Sequence, residues 1–339
     1  MNIIEILKLV SPEIANTFFR RYSILRAVDH LAPVGRRVLA DILQTGERIV
    51  RTELDALKQL DLIETGAGGA SLTAQGQTVL AAMTPYMLEL LGLPTMERQV
   101  SEHLGIPRVI LVPGDSTANP LVRRELGRAA ARVLVQEIRD GDIIAITGGT
   151  TMFQVVDSVH PQRHKVTVVP GRGALGERVE IQANTIAAKL AQALGGKYRL
   201  LHAPDNLSRH ALEELVQEPG IAEVLALIHR STILVHGIGD ALEMAARRQA
   251  PPERIAALEE LNAAAETLGY YFNHQGQIVW QANSIGLGID DLENIKTVIV
   301  VAGGTAKAQA IKAVAAHHNW NVLVTDQGAA EAILQGPSV

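Results

Sequence analysis

The feature that most constrains this chain is a unit that occurs twice: an apolar run that stops at two glycines and resumes as a helical pattern. The first copy is Asp142-Ile143-Ile144-Ala145-Ile146-Thr147-Gly148-Gly149-Thr150-Thr151, and the second is Thr297-Val298-Ile299-Val300-Val301-Ala302-Gly303-Gly304-Thr305-Ala306-Lys307. Each reads as a buried strand, a turn and a helix start. Two glycines let the backbone aim its N–H groups at one point, and the positive end of the following helix adds to their field, so the turn favours an anion. A tight αβ turn with no ligand is spelled the same way, and it is the second copy that favours the anion reading. Two cradles on one sheet predict one ligand with two phosphates, the second cradle carrying Lys307 as an added cation.

From Gly105 onward the whole chain alternates between apolar strands and amphipathic helices. Strands are expected at 109–112, 143–147, 166–169, 198–202, 232–235, 297–302 and 322–325, with helices at 119–139, 182–194, 241–248 and 307–318. That order predicts a doubly wound α/β domain with a mostly parallel sheet, whose crevice lies at the carboxyl ends of the strands. Polar residues and glycines collect there, at Asp115-Ser116, Gly171-Arg172-Gly173, Asp205-Asn206, His236-Gly237-Ile238-Gly239-Asp240 and Asp326-Gln327-Gly328.

The first hundred residues follow a different pattern. Helical periodicity runs through Ile3, Ile6, Leu7 and Val10, then Tyr22, Leu25, Val28 and Leu31, with Pro12 and Pro33 as punctuation. A short pattern over Val34, Val38, Leu39, Ile42 and Leu43 breaks at Gln44-Thr45-Gly46, and a longer helix spans 47–60, which is helix-turn-helix grammar. Val50, Leu54 and Leu57 form its apolar stripe, while Arg48, Arg51, Thr52 and Asp55 fall on the opposite face. Arginine can reach guanine edges or phosphates and threonine either, so Arg48, Arg51 and Thr52 are the candidate DNA contacts. An amphipathic helix with a wet side reads the same, but the context is specific. Residues 61–72 look like two short strands around a glycine-rich tip, a wing, and Thr73 is placed to cap the next helix. From Gln77 to Leu104 a further helical pattern is interrupted at Pro85 and Pro94. It forms either a contact between subunits or a cover on its own domain. The expected organisation is a winged helix-turn-helix over 1–76, connector helices over 77–104, and a ligand-binding and oligomerisation domain over 105–339.

Composition removes several classes of function. With 339 residues and 47% hydrophobic content the chain has enough material for two cores. It contains no cysteine, which excludes disulfides and thiolate chemistry, and no His-Glu-x-x-His motif, so neither a metal nor a cofactor is expected. No run of ~18 apolar residues occurs, so no membrane partner is expected and a soluble, cytoplasmic protein is. The net charge is −5, yet residues 20–60 carry eight Lys/Arg against five Asp/Glu, a basic head on an acidic body.

Several stretches together resemble a known family: Gly148-Gly149-Thr150-Thr151, Arg172-Gly173-Ala174-Leu175-Gly176-Glu177, Gln182-Ala183-Asn184-Thr185, Val235-His236-Gly237-Ile238-Gly239, Glu266-Thr267-Leu268-Gly269-Tyr270-Tyr271-Phe272-Asn273, and Ala302-Gly303-Gly304 through Lys307. They are similar to the SorC group of sugar-responsive bacterial transcription regulators, over essentially the full length, and to its branch that represses glycolytic genes. The resemblance implies a phosphosugar isomerase/deaminase-like fold and an effector, fructose 1,6-bisphosphate or a related sugar phosphate. It also implies double-stranded operator DNA as partner and a homodimer or homotetramer on that DNA. It places one phosphate on Gly148, Gly149, Thr150 and Thr151, and the rest of the ligand among Arg172, Gln182, Arg247, Arg248, Glu266 and Lys307. Arginine forks and a lysine supply charge-assisted donors to phosphate. Glu266 repels phosphate and is expected on sugar hydroxyls. Gly171 stands where relatives carry alanine, a change expected to loosen the backbone beside Arg172.

The competing reading is a sugar-phosphate isomerase or deaminase. The loop at 236–240 resembles the Gly-x-Gly-x-Asp-Gly-His loop of such enzymes. Here Asp240 is followed by Ala241-Leu242 and the histidine is missing, so the acid–base pair is incomplete and no catalytic residue is expected.

Overall fold

A computed structural model describes residues 6, 9–173, 178–204, 208–316 and 320–335. The chain divides into two compact units, Met1–Thr95 and Met96–Val339.

The first unit contains helices α1 (Pro12–Leu31), α2 (Arg36–Ile42) and α3 (Glu47–Gln59), strands β1 (Ile63–Gly66) and β2 (Gly69–Leu72), and helix α4 (Ala74–Leu90). Tyr22, Leu25 and Val28 of α1, Leu39 of α2, and Val50 and Leu57 of α3 are buried, as the helical stripes predict. The strands β1 and β2 pair antiparallel, and Val34 bridges Ala70 from the other side, giving the wing. Thr73 caps α4, its hydroxyl accepting from the Gly76 N–H at 2.9 Å. These elements make a winged helix-turn-helix.

Ile6 and Val10 of the first helical pattern are exposed. One expectation fails in this unit. Pro85 does not interrupt its helix: α4 runs through it to Leu90, because a proline inside a helix removes one hydrogen bond without ending the packing of Leu80, Met87 and Leu90 around it. The chain turns instead at Gly92, whose φ is +72°. Helix α5 (Leu93–Leu104) follows, with Pro94 in its first turn, where the missing N–H has no intrahelical acceptor to lose.

The second unit adds β3 (Arg108–Val112), α6 (Pro120–Glu137), β4 (Ile143–Ile146), α7 (Thr150–Asp157), β5 (Thr167–Pro170), α8 (Ala183–Leu194), β6 (Lys197–Tyr198), α9 (Arg209–Leu215), α10 (Pro219–His229) and β7 (Ile233–Gly237). It continues with β8 (Gly239–Asp240), α11 (Ala241–Arg247), α12 (Pro252–Glu260), β9 (Ala263–Thr267), β10 (Tyr270–Asn273), β11 (Ile278–Gln281), β12 (Thr297–Val301), α13 (Ala308–Ala315), β13 (Val322–Asp326) and α14 (Gln327–Leu334).

Seven strands form one parallel sheet in the order β3-β13-β12-β7-β4-β5-β6. Ile144, Ile146, Ile233, Val235, Ile299, Val301, Val322 and Val324 meet α6, α7 and α8 in one buried cluster. Helix α10 packs against β4 and β5. Strands covered on both faces need apolar residues at every position, hence the unbroken runs in the sequence. A second sheet, antiparallel and ordered β11-β10-β9-β8, was not legible in the sequence. Among the described residues no single helix is long and apolar enough to cross a membrane.

Candidate functional site

A cavity of about 140 Å³, open at its mouth, lies beyond the carboxyl ends of β4, β5 and β7. Its floor starts at the first Gly-Gly turn. Gly149 sits at φ 119°, ψ 163°, a conformation essentially confined to glycine. Its N–H donates to the Ile181 carbonyl at 2.8 Å. A Cβ on Gly148 would lie 2.9 Å from that oxygen and 3.2 Å from the Ala183 nitrogen. The close approach sets the starts of α7 and α8 side by side, and Thr150, Thr151, Met152, Gln182 and Ala183 all line the cavity. First-turn N–H groups of both helices lack intrahelical acceptors, so two positive helix ends converge on one space. Asn184 locks the start of α8 by exchanging two hydrogen bonds with the Leu201 backbone, at 3.0 and 3.1 Å.

Every residue expected at the effector lines this cavity: Gly148, Gly149, Thr150, Thr151, Arg172, Gln182, Arg247, Arg248, Glu266 and Lys307. Arg178, Ile238, Met244 and Leu268 line it as well, and none of them was among the expected ligand contacts. Arg178 sits between two stretches that carried the family resemblance, so proximity was its only signal. The segment 174–177, with Ala174 to Glu177, lies outside the described residues, as do Asp205 and Asn206.

Glu266 does more than the sequence indicated. It is 4% exposed on β9, and its Oε1 accepts from Arg172 Nη1 at 3.3 Å, Arg248 Nη2 at 2.7 Å and the Gly269 N–H at 2.7 Å. The guanidinium of Arg248 also lies 5.9 Å above the Tyr271 ring. Glu266 thus gathers two arginines at one wall. Arg247 faces the same space from α11, 3.8 Å from the Met244 sulfur. Lys307 reaches in from the loop after β12 and donates to the Ile238 carbonyl at 3.0 Å. Burial holds the Lys307 ammonium below the usual lysine range. Glu243 and Asp240 raise it, while Arg123 and Arg247 lower it further. Among the described residues, five cations, Arg172, Arg178, Arg247, Arg248 and Lys307, line the cavity with one carboxylate, Glu266.

The second Gly-Gly turn corrects the two-cradle reading. Gly303 and Gly304 do not line the cavity. Thr305 donates its N–H and hydroxyl to Asp115, at 3.1 and 2.7 Å, and the Ala306 N–H points to the Thr117 hydroxyl at 3.4 Å. A Cβ on Gly303 would fall 2.5 Å from the Asp326 carboxylate. Burial raises the Asp115 pKa, but hydrogen bonds from Thr305 and Thr117 outweigh it and hold the group below the usual range. The turn is an anion cradle whose anion is the protein's own carboxylate. Only Lys307 extends from it into the cavity.

One further expectation changes. The backbone beside Arg172 is not loose. Gly171 has no left-handed φ, its carbonyl accepts from Leu287 N–H at 2.9 Å, and Gly173 N–H donates to Ile285 at 3.0 Å. Asp240 caps α11, accepting from Leu242 and Glu243 N–H at 3.0 and 2.9 Å, a structural use of that carboxylate.

In the first unit Arg48, Arg51 and Thr52 are exposed on one face of α3. Thr52 donates to the Arg48 carbonyl at 3.0 Å, and Arg51 lies 4.0 Å from Asp55. The opposite face is fixed by Glu53, 7% exposed, which pairs with Arg20 at 3.2 Å and Arg21 at 2.9 Å on α1.

A winged head with a basic helix face, in one chain with an α/β unit holding a cationic cleft, defines a DNA-binding regulator that answers to a small anionic ligand. Residues 18–87 match the CggR N-terminal DNA binding domain, and residues 89–335 match a sugar-binding domain family. The chain belongs to the SorC family of transcriptional regulators. It is 40% identical over 337 residues to the central glycolytic genes regulator of Priestia megaterium, and 38% identical over 335 residues to that of Bacillus subtilis, each match covering 98% of both chains. The crystal structure of a SorC family transcriptional regulator from Enterococcus faecalis superposes with TM-score 0.67 at 39% identity, covering 71% of this chain and 99% of that one. The full-length sorbitol operon regulator SorC from Klebsiella pneumoniae shares the fold, with TM-score 0.67, 16% identity, and coverage of 89% of this chain and 94% of that one. The relatives are transcriptional regulators, and this chain is a regulator rather than an enzyme.

Proposed function

We propose that this chain is a repressor of glycolytic genes whose hold on double-stranded operator DNA is released or modulated by fructose 1,6-bisphosphate. In this reading residues 1–76 bind the operator through Arg48, Arg51 and Thr52 of α3, residues 77–104 connect, and residues 105–339 bind the effector and assemble the oligomer. The likeness to two central glycolytic genes regulators supports the target genes.

The observation that carries the effector is the pairing of two helix starts with five cations in one cavity. A bisphosphate brings about three to four negative charges, each phosphate carrying −1.5 to −2 near neutral pH. One phosphate sits at the first turn of α7, on Gly148 to Thr151. The other is held by arginines and Lys307 rather than by the second Gly-Gly turn. Glu266, fixed by its arginines, accepts from sugar hydroxyls on its remaining lone pairs, and Gln182 donates from the start of α8.

A ligand that favours one arrangement of the subunits must shift the DNA-binding equilibrium, by linkage. The lever proposed is the contact between dimers on a long operator. Calorimetry with fructose 1,6-bisphosphate, fructose monophosphates and glyceraldehyde phosphates identifies the ligand, and mass measurement of an operator complex during titration identifies the lever. Tightest binding by another phosphorylated sugar reassigns the effector. A bound bisphosphate that changes neither the assembly nor its DNA affinity refutes the coupling.

A further inference from the structure

Arg172 is held in place by Glu266 of the cavity wall and by residues that do not themselves reach the cavity. Its Nε donates to the Ser284 hydroxyl at 3.0 Å and its Nη1 to Glu266 at 3.3 Å, so two of its three nitrogens have set directions. Behind the guanidinium lies Gly269, where a Cβ would fall 2.5 to 2.8 Å from Nη2, Nη1 and Cζ. Gly269 also has φ +83° and gives its N–H to the same Glu266 oxygen that Arg172 uses. The arginine's backbone is bridged to Gly286, and a Cβ there would strike the Gly171 carbonyl at 2.4 Å. Arg172 lines the cavity, whereas Ser284, Gly269 and Gly286 do not.

We propose that Ser284 is a positioning residue for ligand binding: with the glycine floor at Gly269 it fixes the direction of the Arg172 fork, and it does so without touching the ligand. The inference rests on the reading of this cavity as the effector site. A guanidinium on a long stem has many rotamers, and freezing them before binding removes a cost that each new complex would otherwise incur. Ser284 and Glu266 take up the hydrogen-bonding directions that would otherwise let the fork swing. Gly269 is needed because a Cβ at that position would collide with the fork.

The test uses the full chain and its Ser284→Ala, Ser284→Thr, Arg172→Ala and Ser284→Ala/Arg172→Ala variants. Losing a hydrogen bond to a charged group predicts about a ten-fold or greater loss of fructose 1,6-bisphosphate affinity for Ser284→Ala. Melting temperature should stay within a few degrees, and Ser284→Thr should restore binding, since threonine keeps the hydroxyl. In the Arg172→Ala background the Ser284→Ala change should have no further effect. Wild-type affinity in Ser284→Ala overturns the proposal, and so does an equal loss with or without Arg172.

A ligand-independent arm separates this idea from the effector assignment. The rate at which phenylglyoxal modifies Arg172, followed by the mass of its peptide, should rise several-fold in Ser284→Ala and return to the wild-type rate in Ser284→Thr. Absence of fructose 1,6-bisphosphate binding to the wild type refutes the effector assignment. An unchanged modification rate refutes the positioning role whatever the ligand.

Discussion

Alanine at Gly149 and alanine at Gly304 make a matched pair of perturbations, because the two glycines end the same strand-turn unit with different surroundings. Gly149 has φ 119° and ψ 163°, and Gly304 has φ 100° and ψ 137°. Both conformations are costly for a residue with a Cβ, about 1–3 kcal/mol each. At Gly149 a Cβ meets nothing within 4 Å, so backbone strain is the whole stability cost. At Gly304 a Cβ would lie 2.5 Å from the Thr117 hydroxyl and 3.2 Å from that of Ser116, so a clash adds to the strain. For a unit of this size 1 kcal/mol moves Tm by about 2–4 °C, which predicts a fall of roughly 2–12 °C for Gly149→Ala and a larger one for Gly304→Ala. Ligand affinity should rank the other way. Gly149→Ala turns the first-turn N–H groups of α7 away from the cavity and should weaken bisphosphate binding about ten-fold or more. Gly304→Ala disturbs a turn whose donors already serve Asp115 and Thr117, so the folded protein should bind as the wild type does. Thermal melts and calorimetry on both variants decide it. Loss of affinity in Gly304→Ala equal to that in Gly149→Ala would restore the two-cradle reading and refute the assignment of Asp115 as the resident anion.

Arg48→Ala or Arg51→Ala should weaken operator binding by about 1–3 kcal/mol if the side chain reads a base, and a contact to phosphate alone should instead lower the salt dependence of affinity. Unchanged binding by both variants in a titration of labelled duplex removes α3 as the reading helix. Lys307 predicts a pH effect. Its pKa is lowered in the free cavity, mainly by burial, and a bound phosphate raises it, so binding takes up protons. Apart from the second phosphate ionisation (pKa ~6), affinity should therefore fall as pH rises past the lowered free-state value, and Lys307→Met should remove that part of the slope. Proton uptake measured by calorimetry in buffers of different ionisation enthalpy checks the sign. Glu266→Gln should strengthen inorganic phosphate binding, because a repelling charge is removed, while weakening sugar bisphosphate binding. Improvement for both ligands would remove Glu266 from hydroxyl recognition.

What the sequence made legible follows its periodicity. Six of the seven strands of the parallel sheet are apolar runs, a pattern with no competing reading once it recurs with helices between, whereas the strand expected at 198–202 is reduced to Lys197–Tyr198, exposed at the sheet edge. Strand β9 had no such signal. Ala263-Ala264-Ala265 is helix-favouring and carries no alternation, so the antiparallel sheet was invisible and Glu266 read equally well as a residue on a wet helix face. Its burial is imposed by Arg172 and Arg248, which come from elements 94 and 18 residues away in sequence. The second Gly-Gly turn failed for a related reason. Sequence identifies a backbone that attracts an anion, but whether that anion is a ligand or Asp115, 190 residues distant from Thr305, is settled only by the fold.

The hydrogen bond from Gly149 to Ile181 has a consequence for what the cavity can tell apart. It ties the start of α7 to the turn that leads into α8, and the crowding of Gly148 against Ala183 removes the slack between them. Two attractors fixed to one another act as a calliper. They cannot spread for a longer ligand or draw together for a shorter one. On the proposed reading, discrimination among sugar phosphates then becomes a matter of reach, set by the span between the phosphate at the start of α7 and the sugar group that meets Gln182 at the start of α8, and an isomer of equal charge but different span should be turned away by length.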